Sequence, residues 1–533
     1  MRDGLGRFAG LLIVLALAAC GGRQVDAMHP SLNPARGTLL QNPPERLATF
    51  SAASLLAKLA SNVAPPGVPL DLSVAASEYL LAQSGTPLCD IAIYHIRYAT
   101  VGGAGEYATA SGALMVPTGL DARCRGTRPV VLYAHGTSTA HSFNIADVNG
   151  QQNAEGLFLA AFFASQGYIV VAPNYAGYDT STLSYHPYLH ADQQSKDMID
   201  ALTAARSALP IAEAPLTTDS GRLFITGYSQ GGYVAMATHR AMEAAGMRVT
   251  AAAPMSGPYA LAAFVDAAFY GEVDGGAPVV TTFLITAYQK TYTGIYSSTA
   301  DVFDAQYAAG IDALLPSSMS RGELYALGKL PQYVLFNATP PEPAFTDSVT
   351  PPSTLATLAP VFALGLSTNS LIHGLITSSY RQSYLSDAQA NPDGAWPTST
   401  TGVAAASPGQ PLRQALKQND LRNWEPAAPV LLCGGNADPV VFWLNTQLMQ
   451  GYWAAHPPAN ASVTVLELES AASANDPYAN PKHDFKVAKE IVAADAVLHG
   501  ATDGGAFAVA AAYHATLAGP FCFAAVKSFF GSQ

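Results

Sequence analysis

Gly227-Tyr228-Ser229-Gln230-Gly231-Gly232 is the stretch of this sequence best suited to chemistry. It follows the apolar run Arg222–Thr226 and opens a helical pattern over Gln230–Ala245, so Ser229 would stand on a sharp strand-to-helix turn. Such a turn strains the serine backbone. Side chains two residues to either side would collide with neighbouring backbone, and Gly227 and Gly231 avoid that collision. The helix starting at Gln230 also aims backbone N–H groups at the turn, which favours negative charge there. This is the setting of a nucleophilic serine.

A serine hydroxyl is a weak nucleophile until a base takes its proton, and the base needs an acid to orient it. On turns of this kind the chain order is serine, acid, histidine. Asp438, in Gly434-Gly435-Asn436-Ala437-Asp438-Pro439-Val440, is the best acid, because it follows the apolar run Pro429–Cys433 and such sites assemble at the carboxyl ends of strands. A purely local Asx-turn before Pro439 is the alternative role, and Asp266 is the fallback acid. Of the 12 histidines, His483, His499 and His514 follow Asp438. His514 is preferred as the base, on an expected loop just before the last helical pattern. His483 lies in a polar, turn-like stretch, and His499 precedes Gly500 where a capping role would suffice. For a developing oxyanion, Tyr133-Ala134-His135-Gly136-Thr137 offers a loop that Gly136 lets approach closely. The N–H groups of Thr137 and Gln230 are the natural donors. His135 is read as holding that loop.

These residues need a scaffold, and the apolar pattern supplies one. Ile91–Ala99 and Ala108–Pro117 read as a hairpin. Pro129–Ala134, Tyr168–Pro173, Val249–Pro254, Pro429–Cys433 and Ser462–Leu468 read as further strands. Helical patterns over Asn153–Gln166, Asp192–Leu209, Gln230–Ala245, Val441–Ala455 and Phe521–Phe530 alternate with them. The alternation predicts an α/β fold, a mostly parallel sheet of about eight strands with helices on both faces. Between residues 258 and 426 the regularity stops. Apolar stretches such as Leu355–Leu366 and Leu371–Tyr380 fall short of the ~20 residues of a membrane span. The expected organisation is a leader (1–19), a tether with one helical segment (20–85), a first core part (86–257), a cap or lid (258–426) and a second core part (427–533). Phe264, Phe269, Tyr270, Tyr288 and Tyr292 read as core rather than as a substrate box.

Composition narrows the partners. The 533 residues are 49% hydrophobic and 12% charged, with a formal net charge of −12. That excludes a disordered chain, and with no Lys/Arg run it excludes nucleic acid. His186 and His190 are spaced for a metal on a helix, but Pro187 breaks that helix, and no His-Glu-x-x-His, Walker or dinucleotide pattern is present. At the amino terminus, Arg2 and Arg7 precede an apolar core ending in Leu17-Ala18-Ala19-Cys20-Gly21, which resembles the lipobox of bacterial lipoprotein signals. Cys20 would then be lipidated and provide the sole membrane contact. Gly21 in place of Asp implies the outer membrane or the cell surface; an ordinary secretory leader is the alternative. The remaining cysteines permit three pairings in an oxidising compartment. Because Cys89 and Cys124 bracket the hairpin, Cys89–Cys124 with Cys433–Cys522 is favoured over free thiols.

Taken together, Tyr133–Thr137, Ala172-Pro173-Asn174-Tyr175-Ala176-Gly177-Tyr178-Asp179, Gly227–Gly232, Asn436–Val440 and His514 with its following helix resemble the α/β-hydrolase superfamily, and within it the secretory lipases with a large cap. The resemblance spans roughly residues 85–530, strongly in the core and weakly in the cap. It implies the α/β-hydrolase fold, with a mainly helical cap inserted before the strand that carries the acid. It also implies a carboxylic-ester hydrolase working through an acyl-enzyme, without metal or organic cofactor, in which Ser229, Asp438 and His514 form the triad. In one respect the sequence departs from the pattern: about 45 residues, not a short loop, separate the last strand from His514. The expected substrate is an acyl ester, lipid or otherwise, and the expected state is a monomer. Two rivals are a prolyl-oligopeptidase-type serine peptidase and a surface-displayed binding lipoprotein without catalysis. The peptidase needs a charged pocket for the substrate amino terminus, and no acidic pair stands out in the cap.

Overall fold

Among the described residues, apolar runs without alternation build the middle of a nine-stranded sheet. In chain order the strands are β1 (Glu45–Phe50), β2 (Asp90–Val101), β3 (Tyr107–Thr118), β4 (Gly126–Ala134), β5 (Ile169–Pro173), β6 (Thr217–Tyr228), β7 (Ala251–Met255), β8 (Val430–Gly434) and β9 (Val463–Glu467). Their spatial order is β1-β2-β3-β5-β4-β6-β7-β8-β9. Neighbours from β5 to β9 are parallel, whereas β1, β2, β3 and β5 pair antiparallel. This computed structural model describes residues 33–62, 83–148, 154–212, 217–336, 373–394 and 402–533; the leader, Cys20 and Leu355–Leu366 lie outside them.

The parallel strands are buried on both faces, which is why they read as continuous apolar runs. Successive residues still part company. Leu132, Ile225 and Leu432 face one core, shared with α3 (Ala191–Ala212) and α4 (Gln230–Ala244). Val131, Phe224 and Leu431 face the other, filled by α2 (Ala154–Phe162) and by Phe521, Val526 and Phe530 of the last helix, Gly519–Ser532. Helices therefore cover both faces, as the alternating pattern requires.

Register sets where the site can form. Ala134 pairs with Gly227, Tyr228 with Met255, and Met255 with Cys433. The carboxyl ends of β4, β6, β7 and β8 thus finish in line, and the segments after them emerge at one edge. Between β7 and β8 the described residues form no strand. They form α5 (Leu261–Tyr270), α6 (Ala277–Tyr292), α7 (Ser378–Ala390) and α8 (Pro411–Asn419), with two short helices at Thr299–Val302 and Arg321–Ala326.

Two expectations need correction. The segment 20–85 is more than a tether with a helix: β1 pairs with β2 at the sheet edge before α1 (Ala52–Asn62), giving a ninth strand. Its Glu-Arg-Leu-Ala-Thr-Phe sequence is mostly exposed, so it has little of the apolar periodicity that marks a buried strand. The helix expected near Val441–Ala455 is α9 (Leu444–Ala455), and the long stretch between β9 and His514 is helical, with α10 (Ala479–Leu498) and α11 (Ala506–Ala512). His514 itself lies not on a loop but in a π-helical turn, Tyr513–Ala518, that runs directly into α12 (Gly519–Ser532).

Candidate active site

Ser229 occupies the turn between β6 and α4 with φ 62° and ψ −124°. That is a strained conformation for a residue with a side chain. Its N–H donates to the Met255 carbonyl at 3.0 Å, and its own carbonyl accepts from Gly232 N at 2.9 Å. The glycines are sterically required. A Cβ at Gly227 would lie 2.3 Å from the Gly231 carbonyl oxygen, and one at Gly231 would lie 1.9 Å from that of Ala134. Gly232, not singled out in the sequence beyond its place in the motif, is equally confined: its Cβ would meet the Met255 oxygen at 2.2 Å.

Asp438, on the segment after β8, uses its two oxygens differently. Oδ1 accepts from Val440 N at 2.9 Å and Val441 N at 3.1 Å, which is the turn role weighed from sequence. Oδ2 lies 2.6 Å from His514 Nδ1. A carboxylate only accepts, so Nδ1 carries the proton and Nε2 presents a lone pair. That nitrogen is 2.8 Å from Ser229 Oγ. Asp438 and His514 are both buried. The three preferred residues are therefore in one hydrogen-bonded line.

Two neighbours that sequence reasoning missed hold the histidine. Tyr228 Oη donates to the His514 carbonyl at 2.6 Å, and Tyr513 Oη donates to Glu469 Oε1 at 2.5 Å. Gly435 leaves room for that second phenol, because a Cβ there would lie 2.1 Å from Tyr513 Oη. The adjacent positions in sequence, Tyr228 before Ser229 and Tyr513 before His514, were the available signal.

The loop after β4 is fixed from below. Gly136 N donates to Glu155 Oε1 at 3.1 Å, and Tyr133 Oη donates to the same oxygen at 2.7 Å. Burial raises the Glu155 carboxyl above its ordinary range. His135 sits with its nitrogens at the carbonyls of Gly136 (2.6 Å) and Asn174 (3.0 Å), stacked on Tyr175. Burial lowers the imidazole to about 4 against the pull of these two carbonyls, and both nitrogens are engaged with backbone. The N–H groups of Thr137 and Gln230 have no acceptor among the described residues.

The alternatives lie elsewhere. Asp266 is buried in a bidentate pair with Arg413 (2.9 and 3.0 Å) and accepts from Tyr384 Oη at 2.6 Å. His483 is exposed on α10, and His499 ends that helix with Nδ1 2.9 Å from the Asp495 carbonyl. Phe264, Phe269 and Tyr288 are core residues, while Tyr270 and Tyr292 are half-buried. The disulfides are Cys89–Cys124 and Cys433–Cys522. Such bonds belong to an oxidising compartment. Among the described residues no three His, Cys, Asp or Glu side chains gather as a metal site. One acidic pair does stand between β7 and β8: Glu272 and Asp274 are buried, and burial raises each to about 7. Asp274 is close enough to feel the charges of His514 and Asp438.

Comparison with known proteins places this arrangement. The rice cell wall degrading esterase LipA from Xanthomonas oryzae, in a ligand-bound form, is 27% identical with a TM-score of 0.63, over 93% of this chain and 98% of that one. Another structure of that esterase gives 28% and 0.60 over 87% and 99%. The chain has the α/β-hydrolase fold. It is a hydrolase of the α/β-hydrolase type, and a profile of the prolyl oligopeptidase family matches residues 157–267 of this hydrolase, the part holding the serine turn. A Legionella pneumophila protein, 21% identical with a TM-score of 0.55 over 80% of this chain and 91% of that one, agrees in fold alone. No curated protein matches the sequence.

Proposed function

We propose that this hydrolase is a serine carboxylic-ester hydrolase, a lipase or esterase working through an acyl-enzyme. The observation that carries the reading is the line from Asp438 through His514 to Ser229, at 2.6 and 2.8 Å. Ser229 Oγ attacks the ester carbonyl as its proton passes to His514 Nε2. Asp438 holds the ring in that tautomer and stabilises the imidazolium. The tetrahedral oxyanion is received by the N–H groups of Thr137 and Gln230, each worth about 3–4 kcal/mol in such sites. His514 then protonates the leaving alcohol, and a water activated by the same ring releases the acid.

An ester with an apolar acyl part is the substrate of this reading. Leu189, Leu261, Phe264, Leu284 and Ile285 pack as an apolar layer around a gap of about one water's size that also reaches Asp274. The similarity to an esterase over nearly the whole chain points the same way. In this reading residues 258–426 act as a cap over the site, and the protein is a monomer. Cys20 anchors it at the outer membrane or cell surface after removal of residues 1–19.

A peptidase is the second reading. The prolyl oligopeptidase profile favours it, and so does Asp274, a buried carboxyl near enough to His514 and Asp438 to feel their charges and therefore placed to meet a substrate ammonium. One experiment separates the readings: turnover of p-nitrophenyl esters of increasing acyl length beside a peptide p-nitroanilide, with Ser229→Ala as control. Ester turnover that vanishes in the variant supports the proposal. Ester turnover that persists in Ser229→Ala defeats it, and preference for the anilide favours the peptidase.

A further inference from the structure

Both proposed oxyanion donors are tied, through their side chains, to one short segment between β5 and α3. Gln230 Nε2 lies 2.7 Å from His186 Nε2, and Thr137 Oγ1 lies 2.8 Å from Tyr188 Oη. The partners of His186 decide its tautomer. Nδ1 faces the Ala176 carbonyl at 2.9 Å, and a carbonyl only accepts, so the proton is on Nδ1. In the neutral ring Nε2 then accepts, from Gln230 and, at 3.3 Å, from Gln194. Burial keeps the ring neutral by lowering its pKa to about 3.

The arrangement is costly, which is the reason to ask what it does. The Gln230 amide presents its nitrogen to His186 and leaves Oε1 buried without a partner among the described residues. An unsatisfied buried acceptor keeps the full penalty of its desolvation. Leu189 is held at φ 50°, in the left-handed region, with its carbonyl gripped by Tyr233 Oη at 3.1 Å and Tyr288 Oη at 3.0 Å. Strain of this kind persists where surroundings over-determine it, and it collects at functional sites. Tyr188 in turn stacks on Phe283 of α6, with centroids 5.0 Å apart.

We propose that His186 is a positioning residue of the oxyanion hole: its neutral imidazole fixes the Gln230 side chain and thereby the direction of the Gln230 N–H beside Ser229, while Tyr188 braces Thr137. The proposal rests on the ester-hydrolase reading. It makes His186 and Gln230 one functional unit, so their effects are non-additive.

The test uses the full chain and four variants. His186→Phe keeps an aromatic ring and removes the acceptor. Gln230→Met keeps the backbone N–H and removes the amide, and the double variant combines them. His186→Gln restores an acceptor at the place of Nε2. Each single change to Phe or Met lowers kcat for a p-nitrophenyl ester about tenfold with KM within about twofold, the signature of a donor engaged in the transition state. Affinity for an alkylboronate transition-state mimic falls by the same factor, the double variant is no worse than either single one, and His186→Gln recovers part of kcat. Unchanged kcat, strictly multiplicative losses, or a raised KM at constant kcat overturn the positioning role. If His186→Phe does not fold, Gln230→Met decides alone, and wild-type kcat and boronate affinity in it overturn the role. A wild type silent towards both esters and a fluorophosphonate defeats the ester-hydrolase reading and this role with it. An active wild type with an indifferent His186→Phe defeats this role only.

Discussion

The first turn of the helix after Ser229 touches the end of β4: a Cβ on Gly231 would lie 1.9 Å from the Ala134 carbonyl oxygen. Backbone is the obstacle, so no rotamer relieves it. Gly231→Ala must push α4 away from the loop that carries Thr137. The expected outcome is a loss of about 1–3 kcal/mol in stability, as for overpacked sites, with ester turnover reduced more than a hundredfold. Urea unfolding and active-site titration with a fluorophosphonate check both parts.

Asp438→Asn should separate geometry from charge. The Asn oxygen still accepts from Val440 and Val441, so the turn survives and Tm stays within a few degrees. The amide nitrogen facing His514 Nδ1 reverses the tautomer and leaves no lone pair towards Ser229. A fall of about 10⁴ in kcat is expected. A fall below tenfold would mean that Asp438 only supports the turn.

Cys433 on β8 is bonded to Cys522 on α12, 89 positions further along the chain, and His514 precedes the helix that this bond anchors. Closing a loop of that length confers about 4–5 kcal/mol in the chain-entropy account. The double change Cys433→Ser with Cys522→Ser should lower Tm strongly and shorten the half-life of ester activity on warming. Removing Cys89–Cys124, which closes 35 residues, should cost less. Differential scanning calorimetry ranks the two.

Asp274 gives a stability signature with pH. Burial raises its carboxyl to about 7 from an ordinary value of 3.8, so between these values the folded protein holds a proton that the unfolded chain has lost. Its contribution is fully present below pH ~4 and is lost as pH rises through ~7. Asp274→Asn removes the titration. The variant should therefore gain stability relative to wild type as pH increases from 4 to 8, and thermal melts across that range read it. A constant difference between the two proteins would contradict the assignment.

The local parts of the site were legible because they are local. The serine turn needs glycine at 227 and 231, and a strand before it and a helix after it, and these are neighbours in sequence. The parallel strands announced themselves by unbroken apolar runs. β1 did not, because an exposed edge strand needs no buried face and leaves no periodic trace. The helical stretch before His514 likewise hid the turn on which that residue sits.

What the sequence determined by itself was therefore the set of chemical groups and the order of strands and helices, since both follow from short-range preference and periodicity. Which histidine meets Ser229 was decided only by folding, as Ser229 and His514 are 285 positions apart and proximity at that distance depends on strand register and helix packing. The same is true of His186 against Gln230, 44 residues apart. No local rule encodes such pairs. They exist because the sheet aligns the ends of β4, β6, β7 and β8, and the packed cores on both faces keep them aligned.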